Sequence, residues 1–463
     1  MARALGLQQI DQFLGQYNSP LFDLHLNSTD NKGKIPQIQI LRYMGNKRGL
    51  LKWLIPILKD ELNSGDTILD LFAGTSSVGY ALKDYAKVIA NDIQLYSAII
   101  SSSLLEFSGH VTLSDYKLDL SVNYAKNRAA LLKIYGHAIE DENNLISKRN
   151  VRDYLAFCQK IPILGYPVKN DLYKVNTFVS SDSLLKYRNN HKLFPYNLFI
   201  TYFPNTYFGL NQCITIDSLK YAIDQINDRK RKAVYLTCLM YAISKAVNSS
   251  GHFAQYLRHN SHKNSLEIIE QRKVSIIDRF LQKLNEFSDI VIQDKWQNYI
   301  YNADYKDLIT KLAINGQLKD VKVIYIDPPY TTAQYSRFYH IPETLVKYDY
   351  PELTRDRLTH NPVKGAYRND RIQSDFSQLS STKHAFLELF DIISSSSDAT
   401  LVVSYSDNSI IKPVDELVKI ASKYYQIVDK QNGYYHSAQG ARFKQNGRGS
   451  NSVNEYVLIC KRK

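Results

Sequence analysis

Residues 321–330 read VKVIYIDPPY, an apolar, β-branched run that stops abruptly on Asp327, Pro328, Pro329 and Tyr330. The run is a buried-strand pattern, so the four residues after it stand at the carboxyl end of a sheet strand, where open α/β sheets bind ligands. A carboxylate and a backbone carbonyl fixed by proline are two acceptors for the two N–H bonds of an amino group conjugated to a ring. Such a nitrogen is a poor nucleophile, and paired acceptors draw it toward tetrahedral geometry. Tyr330 then offers a ring on which a base stacks, worth about 1–3 kcal/mol. Asp and Pro are also ordinary turn residues, so other sites must point the same way.

They do. Residues 66–71 (DTILDL) form a second short buried-strand pattern, followed by Phe72, Ala73 and a turn bounded by Gly74 and Gly79. Glycine there allows a cofactor close to the backbone. The turn is not a P-loop, because Tyr80 and Ala81 occupy the places of Lys and Ser or Thr, and Ser76 removes the second glycine of GxGxxG. A cofactor without phosphates fits better. A further strand, KVIAN at 87–91, ends on Asn91 and Asp92, where an acidic side chain commonly grips ribose hydroxyls, although Asp92 also suits a helix N-cap. Asn302, Ala303 and Asp304 bring another carboxylate to the same rim.

Between these groups the α/β rhythm lapses. The pattern predicts an extension over 1–34, one α/β sheet domain over 35–110 and 291–463, and a mainly helical domain inserted at 111–290. Pro56 should kink or split the helix after Lys47. Residues 364–382 are polar and poorly periodic, which predicts a mobile surface loop. Residues 455–460 read as the closing strand.

The chain has 463 residues and a net charge of +13, with 44% hydrophobic and 12% aromatic residues, which excludes a mainly disordered chain. The surplus of positive charge attracts polyanions, nucleic acid first. The four cysteines form no CxxC pair and lie beside no histidine at ligand spacing, so neither a disulfide framework nor a metal site is expected. No stretch is long and apolar enough to span a membrane, and a cytoplasmic protein is expected.

The order RYMGNKRG (42–49), LDLFAGTSSVG (69–79), NDI (91–93), NAD (302–304) and IDPPY (326–330) resembles the Dam-like, alpha-group N6-adenine DNA methyltransferases, as do residues 331–344, YRNDRIQSDF at 367–376 and NEYVLI at 454–459. The likeness is close over roughly 40–110 and 295–463 and looser between. It implies a Rossmann-like sheet with a helical target-recognition insertion, acting on duplex DNA with S-adenosylmethionine (AdoMet) as a monomer, alongside a cognate restriction endonuclease. It also implies that Tyr43, Gly45 and Lys47 meet the methionine end of AdoMet, that Asp70, Phe72 and Gly74 form its floor, that Asp92 holds its ribose and that Asp304 meets its adenine. Asp327, Pro328 and Tyr330 would hold the target adenine, with Tyr335 and Phe338 as aromatic neighbours. Asn46 departs from the smaller residue that related sequences often carry there.

For DNA contact the candidates are Arg229, Lys230, Arg231 and Lys232, then Arg258 and Lys263 with His259 and His262, and Arg442, Lys444 and Arg448 in a basic hairpin tip. Basic runs are also ordinary solvated surface. Tyr207, Phe208, Asn211 and Gln212 either read bases or pack on the helix expected near Asp217. Two related activities stay open: N6 methylation of RNA adenine, and N4 methylation of cytosine, whose enzymes usually begin the quartet with Ser. A DNA-binding module with a degenerate site is the reading from another class, opposed by the carboxylates at 92, 304 and 327.

Overall fold

The computed structural model describes residues 38–41, 47–109, 111–161, 181–249, 251–288, 295–436 and 452–463. The extension 1–34, Tyr43, Gly45, Arg442, Lys444 and Arg448 lie outside them.

Seven strands form one mixed sheet: β1 (Thr67–Asp70), β2 (Lys87–Asn91), β3 (Tyr299–Tyr301), β4 (Val321–Ile326), β5 (Thr400–Ser406), β6 (Tyr425–His436) and β7 (Ser452–Arg462). Their spatial order is β3-β2-β1-β4-β5-β7-β6. β1 to β5 pair in parallel, and β7 runs antiparallel between β5 and β6. The chain winds outward from β1 to one side, then crosses to β4 on the other. Neighbouring connections therefore diverge between β1 and β4 and leave a crevice at their carboxyl ends. This agrees with the Rossmann-like α/β architecture expected from the sequence.

Alternation along the strands explains the two cores. Ile68, Val88, Val323, Tyr325, Val402 and Val457 face one layer; Leu69, Ile89, Ile324, Ile326, Val403 and Leu458 face the other. Period-2 alternation turns successive side chains to opposite faces, and a largely parallel sheet must be covered on both. Tyr305–Ile314, Thr382–Ser396 and Val414–Ala421 cover the second face. The first is covered by Leu51–Asp60, Leu95–Leu105 and by the helices that run from Leu113 to Ser288, between β2 and β3. The core of these helices is continuous with that face.

Several expectations change. The helix Leu51–Asp60 continues through Pro56. Residues 364–382 do not form a mobile surface loop: Arg368 is buried in a fork of Asp349 and Asp370, and Phe376 packs against Phe72, Tyr305 and Phe386. β6 carries no clear strand pattern in the sequence, and Lys430 on it pairs with Asp415 at 2.8 Å. Asp217 lies inside the helix Leu210–Asp224, which begins earlier because Gln212 caps the Gly209 amide.

Asp217 is fully buried, and its carboxylate accepts the amides of Phe199 and Ile200 and the hydroxyl of Tyr348. Burial raises its pKa to about 7 against the pull of these donors. Asp217→Ala leaves three buried donors unpaired, at roughly 1–3 kcal/mol each before relaxation. A loss of about 3–5 kcal/mol in urea unfolding is expected, with Asp217→Asn losing less.

Candidate active site

The pairing register aligns the strand ends that build the site. Asp70 on β1 stands opposite Ala90 on β2 and Tyr325 on β4, and Tyr301 on β3 stands opposite Asn91. Loops leaving β1, β2, β3 and β4 thus rise on one edge of the sheet.

Short polar side chains lock these loops. Asn91 Nδ2 donates to the carbonyls of Leu71 and Ala303, and its Oδ1 accepts the Ala303 amide. Asn302 Nδ2 donates to the Asp92 carbonyl at 2.8 Å. Gly74 takes a φ of +54°, which glycine tolerates, and this presents its amide to Asp92 Oδ2 at 2.9 Å. Asp92 Oδ1 accepts the Gln94 amide at 2.8 Å. The turn after β1 is therefore held from the turn after β2. Asp304 caps the helix Tyr305–Ile314 through the Lys306 amide.

A cavity of about 340 Å³ opens between these loops. Asp70, Phe72, Gly74, Asp92, Asp304, Asp327, Pro328, Tyr330 and Tyr335 all line it, as does Lys47. The structure therefore brings together every described cofactor-site and catalytic candidate. Phe338 is separate: it packs edge-on against His252, 4.7 Å between ring centroids, and does not line the cavity.

Lys47 occupies the most consequential position. Its ammonium lies 3.1 Å from Asp327 Oδ1 and 3.1 Å from Glu455 Oε2, with only 4% of the side chain exposed. It also sits 5.0 Å from the centroid of the Tyr330 ring. Tyr330 donates its hydroxyl to Glu455 Oε1 at 3.1 Å, and its carbonyl accepts the Ile410 amide at 2.9 Å. The loop after β4 is thereby pinned to β7.

Burial alone would lower the Lys47 pKa, but Asp327, Tyr330 and Glu455 raise it well above the usual lysine value. Burial raises Asp327 to about 6; Lys47 opposes the rise and Glu455 adds to it. Asp92 is raised by burial to about 6, restrained by its two amide donors. Asp70 is raised by burial, and then by Asp327 and Asp92, to about 8, a direction that favours its protonated form. Its Oδ1 is buried with no hydrogen-bond partner.

Sequence reasoning missed Glu455, whose only local signal is an acidic residue opening the apolar run 456–460, and it missed Phe376, Gln334 and Ser374. Phe376 forms an apolar wall with Phe72, 5.5 Å between centroids, and Gln334 Oε1 accepts the Ser374 amide at 2.9 Å. All three line the cavity.

The candidate nucleic-acid contacts fare differently. Tyr207 and Phe208 are fully buried, Gln212 is spent on Gly209, Gln271 and Val274, and Asn211 accepts from Arg128. They pack within the helical layer. In the basic run that opens the helix Arg229–Ala246, Arg229 pairs with Glu106 and Arg231 with Asp119, while Lys232 donates to the Asp224 carbonyl. Lys230 and Arg258 are exposed, and so is Lys263 in the first turn of His262–Arg272. Among the described residues no cluster of His, Cys, Asp and Glu could hold a metal, and no helix is long and apolar enough to cross a membrane.

Comparisons with known proteins give the family. Modification methylase LlaI of Lactococcus lactis subsp. lactis is 25% identical over 429 residues, covering 91% of this chain and 55% of LlaI. Type II methyltransferase M.FokI of Planomicrobium okeanokoites is 22% identical, covering 68% of this chain and 38% of its own length. Modification methylase StsI of Streptococcus sanguinis is 20% identical, covering 81% and 45%. The chain spans about half the length of the relatives it matches. The model of one family, described as D12 class N6 adenine-specific DNA methyltransferase, matches residues 43–400, ending on the first residue of β5. The chain belongs to that family.

Proposed function

We propose that this chain transfers a methyl group from AdoMet to the N6 amino group of an adenine rotated out of duplex DNA. The observation that carries the reading is the group Asp327, Pro328 and Tyr330 at the carboxyl end of β4, held by Lys47 and Glu455 on the wall of the cavity. The names of the relatives, two modification methylases and a type II methyltransferase, support it. The helical layer 111–290 is proposed to carry target recognition, and a cognate endonuclease, a monomeric state and a cytoplasmic location belong to the same reading.

The cavity residues fit AdoMet. Phe72 and Phe376 supply apolar wall, Asp92 and Asp304 carboxylates stand at the ends of β2 and β3 for hydroxyl and amino donors, and Asp70 Oδ1 keeps a free hydrogen-bonding position. When bound, AdoMet supplies a methyl group on a positively charged sulfur. The rest falls to the protein. Rotating a base out of the stack costs a few kcal/mol, which stacking on Tyr330 and Tyr335 offsets in part. The Asp327 carboxylate and the Pro328 carbonyl accept the two N6 hydrogens and orient the nitrogen lone pair toward the methyl. As positive charge moves onto N6, Asp327 is already in place to stabilise it without reorganisation. Lys47 holds one carboxylate oxygen and leaves the other for the amino group.

Asp327→Ala should lower methyl transfer by a factor on the order of 10²–10⁴ and leave AdoMet affinity largely unchanged. Isothermal titration beside tritiated-methyl incorporation into unmethylated genomic DNA measures both, and normal turnover by the variant refutes the role. Digesting that DNA and weighing its nucleosides separates N6-methyladenine from N4-methylcytosine, and an equal mass of RNA tests the third substrate.

The acceptor must be ionised, so the transfer rate should fall about tenfold per pH unit below the Asp327 pKa of about 6 and level off above it. Single-turnover rates from about pH 5 to 8 show the limb.

Charge removal beside Asp327 should move that limb in opposite directions. Lys47→Met takes away the cation that favours the carboxylate, which raises the apparent pKa; Glu455→Gln takes away an anion and lowers it. A shared direction of movement would contradict the arrangement.

A further inference from the structure

A group of cations stands next in the chain to residues that line the cavity, without an ion-pair partner among the described residues. Arg337 directly follows the lining residues Gln334, Tyr335 and Ser336, and Arg371 directly precedes Ile372, Gln373 and Ser374. Both guanidinium groups gather on one tyrosine: Arg337 lies 5.4 Å and Arg371 5.0 Å from the centroid of the Tyr367 ring. That ring is a built platform. Tyr367 is buried, and its hydroxyl donates to the Ala254 carbonyl and accepts from Arg337 Nε at 3.1 Å. Arg371 Nε donates to the Arg368 carbonyl at 3.1 Å, which fixes the second guanidinium. Lys364 and Arg258 extend the group along the neighbouring segments.

Two carboxylates of the same segments are already committed. Asp349 and Asp370 both pair with Arg368, between 2.6 and 3.1 Å. Arg258, Arg337, Lys364 and Arg371 make no ion pair with any carboxylate among the described residues. They do feel one another. Burial holds Arg371 below its ordinary pKa, with Tyr367 opposing and Arg337 adding to the effect; burial and then Arg258 do the same to Lys364. Like charges held this close cost free energy in the free protein, and an incoming anion relieves that cost. The contrast with the run 229–232 is direct, since Arg229 and Arg231 there are neutralised by Glu106 and Asp119.

We propose that Arg337, Arg371 and Lys364, with Arg258, form a phosphodiester-binding site that grips the DNA strand beside the nucleotide entering the cavity. The proposal rests on the methyl-transfer reading above, because it takes the cavity as the destination of the base. Fixed guanidinium groups bind phosphate oxygens in a defined geometry, and phosphate contacts give affinity and register without choosing sequence. Their place on the rim matters most: a strand held there presents its base to Tyr330 and Asp327 and keeps its backbone outside.

The test compares the full-length protein with the triple variant Arg337→Gln, Arg371→Gln, Lys364→Gln, using fluorescence anisotropy of a labelled duplex across a salt series. The logarithmic salt dependence of binding should become shallower by about two to three units, near one for each phosphate no longer neutralised. AdoMet affinity and thermal midpoint should hold, and the KM for DNA should rise far more than kcat falls. A pair of Arg→Lys changes at 337 and 371 should restore most of the slope. An unchanged slope in a folded triple variant overturns the site. Inorganic phosphate added at constant ionic strength should not displace the duplex; displacement from the wild type but not from the variant would make this a small-anion site and also overturn the proposal. Methyl incorporation by the wild-type protein into unmethylated genomic DNA is measured alongside, so loss of the methyl-transfer reading registers separately from loss of the phosphate site.

Discussion

The site depends on one buried cation. Lys47 reaches Asp327 at the end of β4 and Glu455 on β7, two strands separated in the sheet by β5, and so closes the crevice from its far side. Removing an ammonium from water costs several kcal/mol, which a single carboxylate rarely offsets; here two carboxylates and the face of Tyr330 share it. The arrangement leaves one net negative charge among three buried ionic groups. That charge faces a cavity whose proposed occupant carries a positively charged sulfur. The ion pair therefore serves the proposed chemistry as well as the fold: it holds Asp327 and, through Glu455, the Tyr330 hydroxyl.

The opposite wall is built from amides instead of cations. Asp92 accepts from Gly74 and Gln94, and Asn91 bridges Leu71 and Ala303. Loops that belong to different strands become one rigid rim, held by a small number of short side chains. The rise in the Asp70 pKa to about 8 follows from the same crowding, since Asp92 and Asp327 are its anionic neighbours. Favouring the protonated form of Asp70 spares the cavity a further repelling charge and provides a donor that a carboxylate cannot.

What could be read from the sequence was local. Strands β1, β2 and β4, and the carboxylates that end or follow them, are each declared within about ten residues by an apolar run that stops at a polar turn. What could not be read was pairing across long stretches of chain. Lys47 and Glu455 are 408 positions apart, and nothing near either residue names the other. The basic run at 229–232 looked available because its neutralising carboxylates, Glu106 and Asp119, lie more than a hundred residues earlier. Residues 364–382 looked loose because their polar composition hides the anchors Arg368 and Phe376, which gain their partners only in the folded chain. Tyr207 and Phe208 carried the same aromatic signal as base-stacking residues, and burial alone distinguishes them.

The charge of +13 takes on meaning through its distribution. The cavity interior is acidic, with Asp92, Asp304 and Asp327 on its walls, whereas the proposed phosphate site, next in sequence to lining residues Ser336 and Ile372, carries Arg337 and Arg371. An acidic interior repels phosphate, and a cationic rim attracts it. In the proposed reading a DNA strand approaching such a boundary lowers its energy by leaving its backbone on the cationic side and passing only an uncharged base inward. In that reading the two fields act together on a DNA strand, set by where the charges sit and not by their sum.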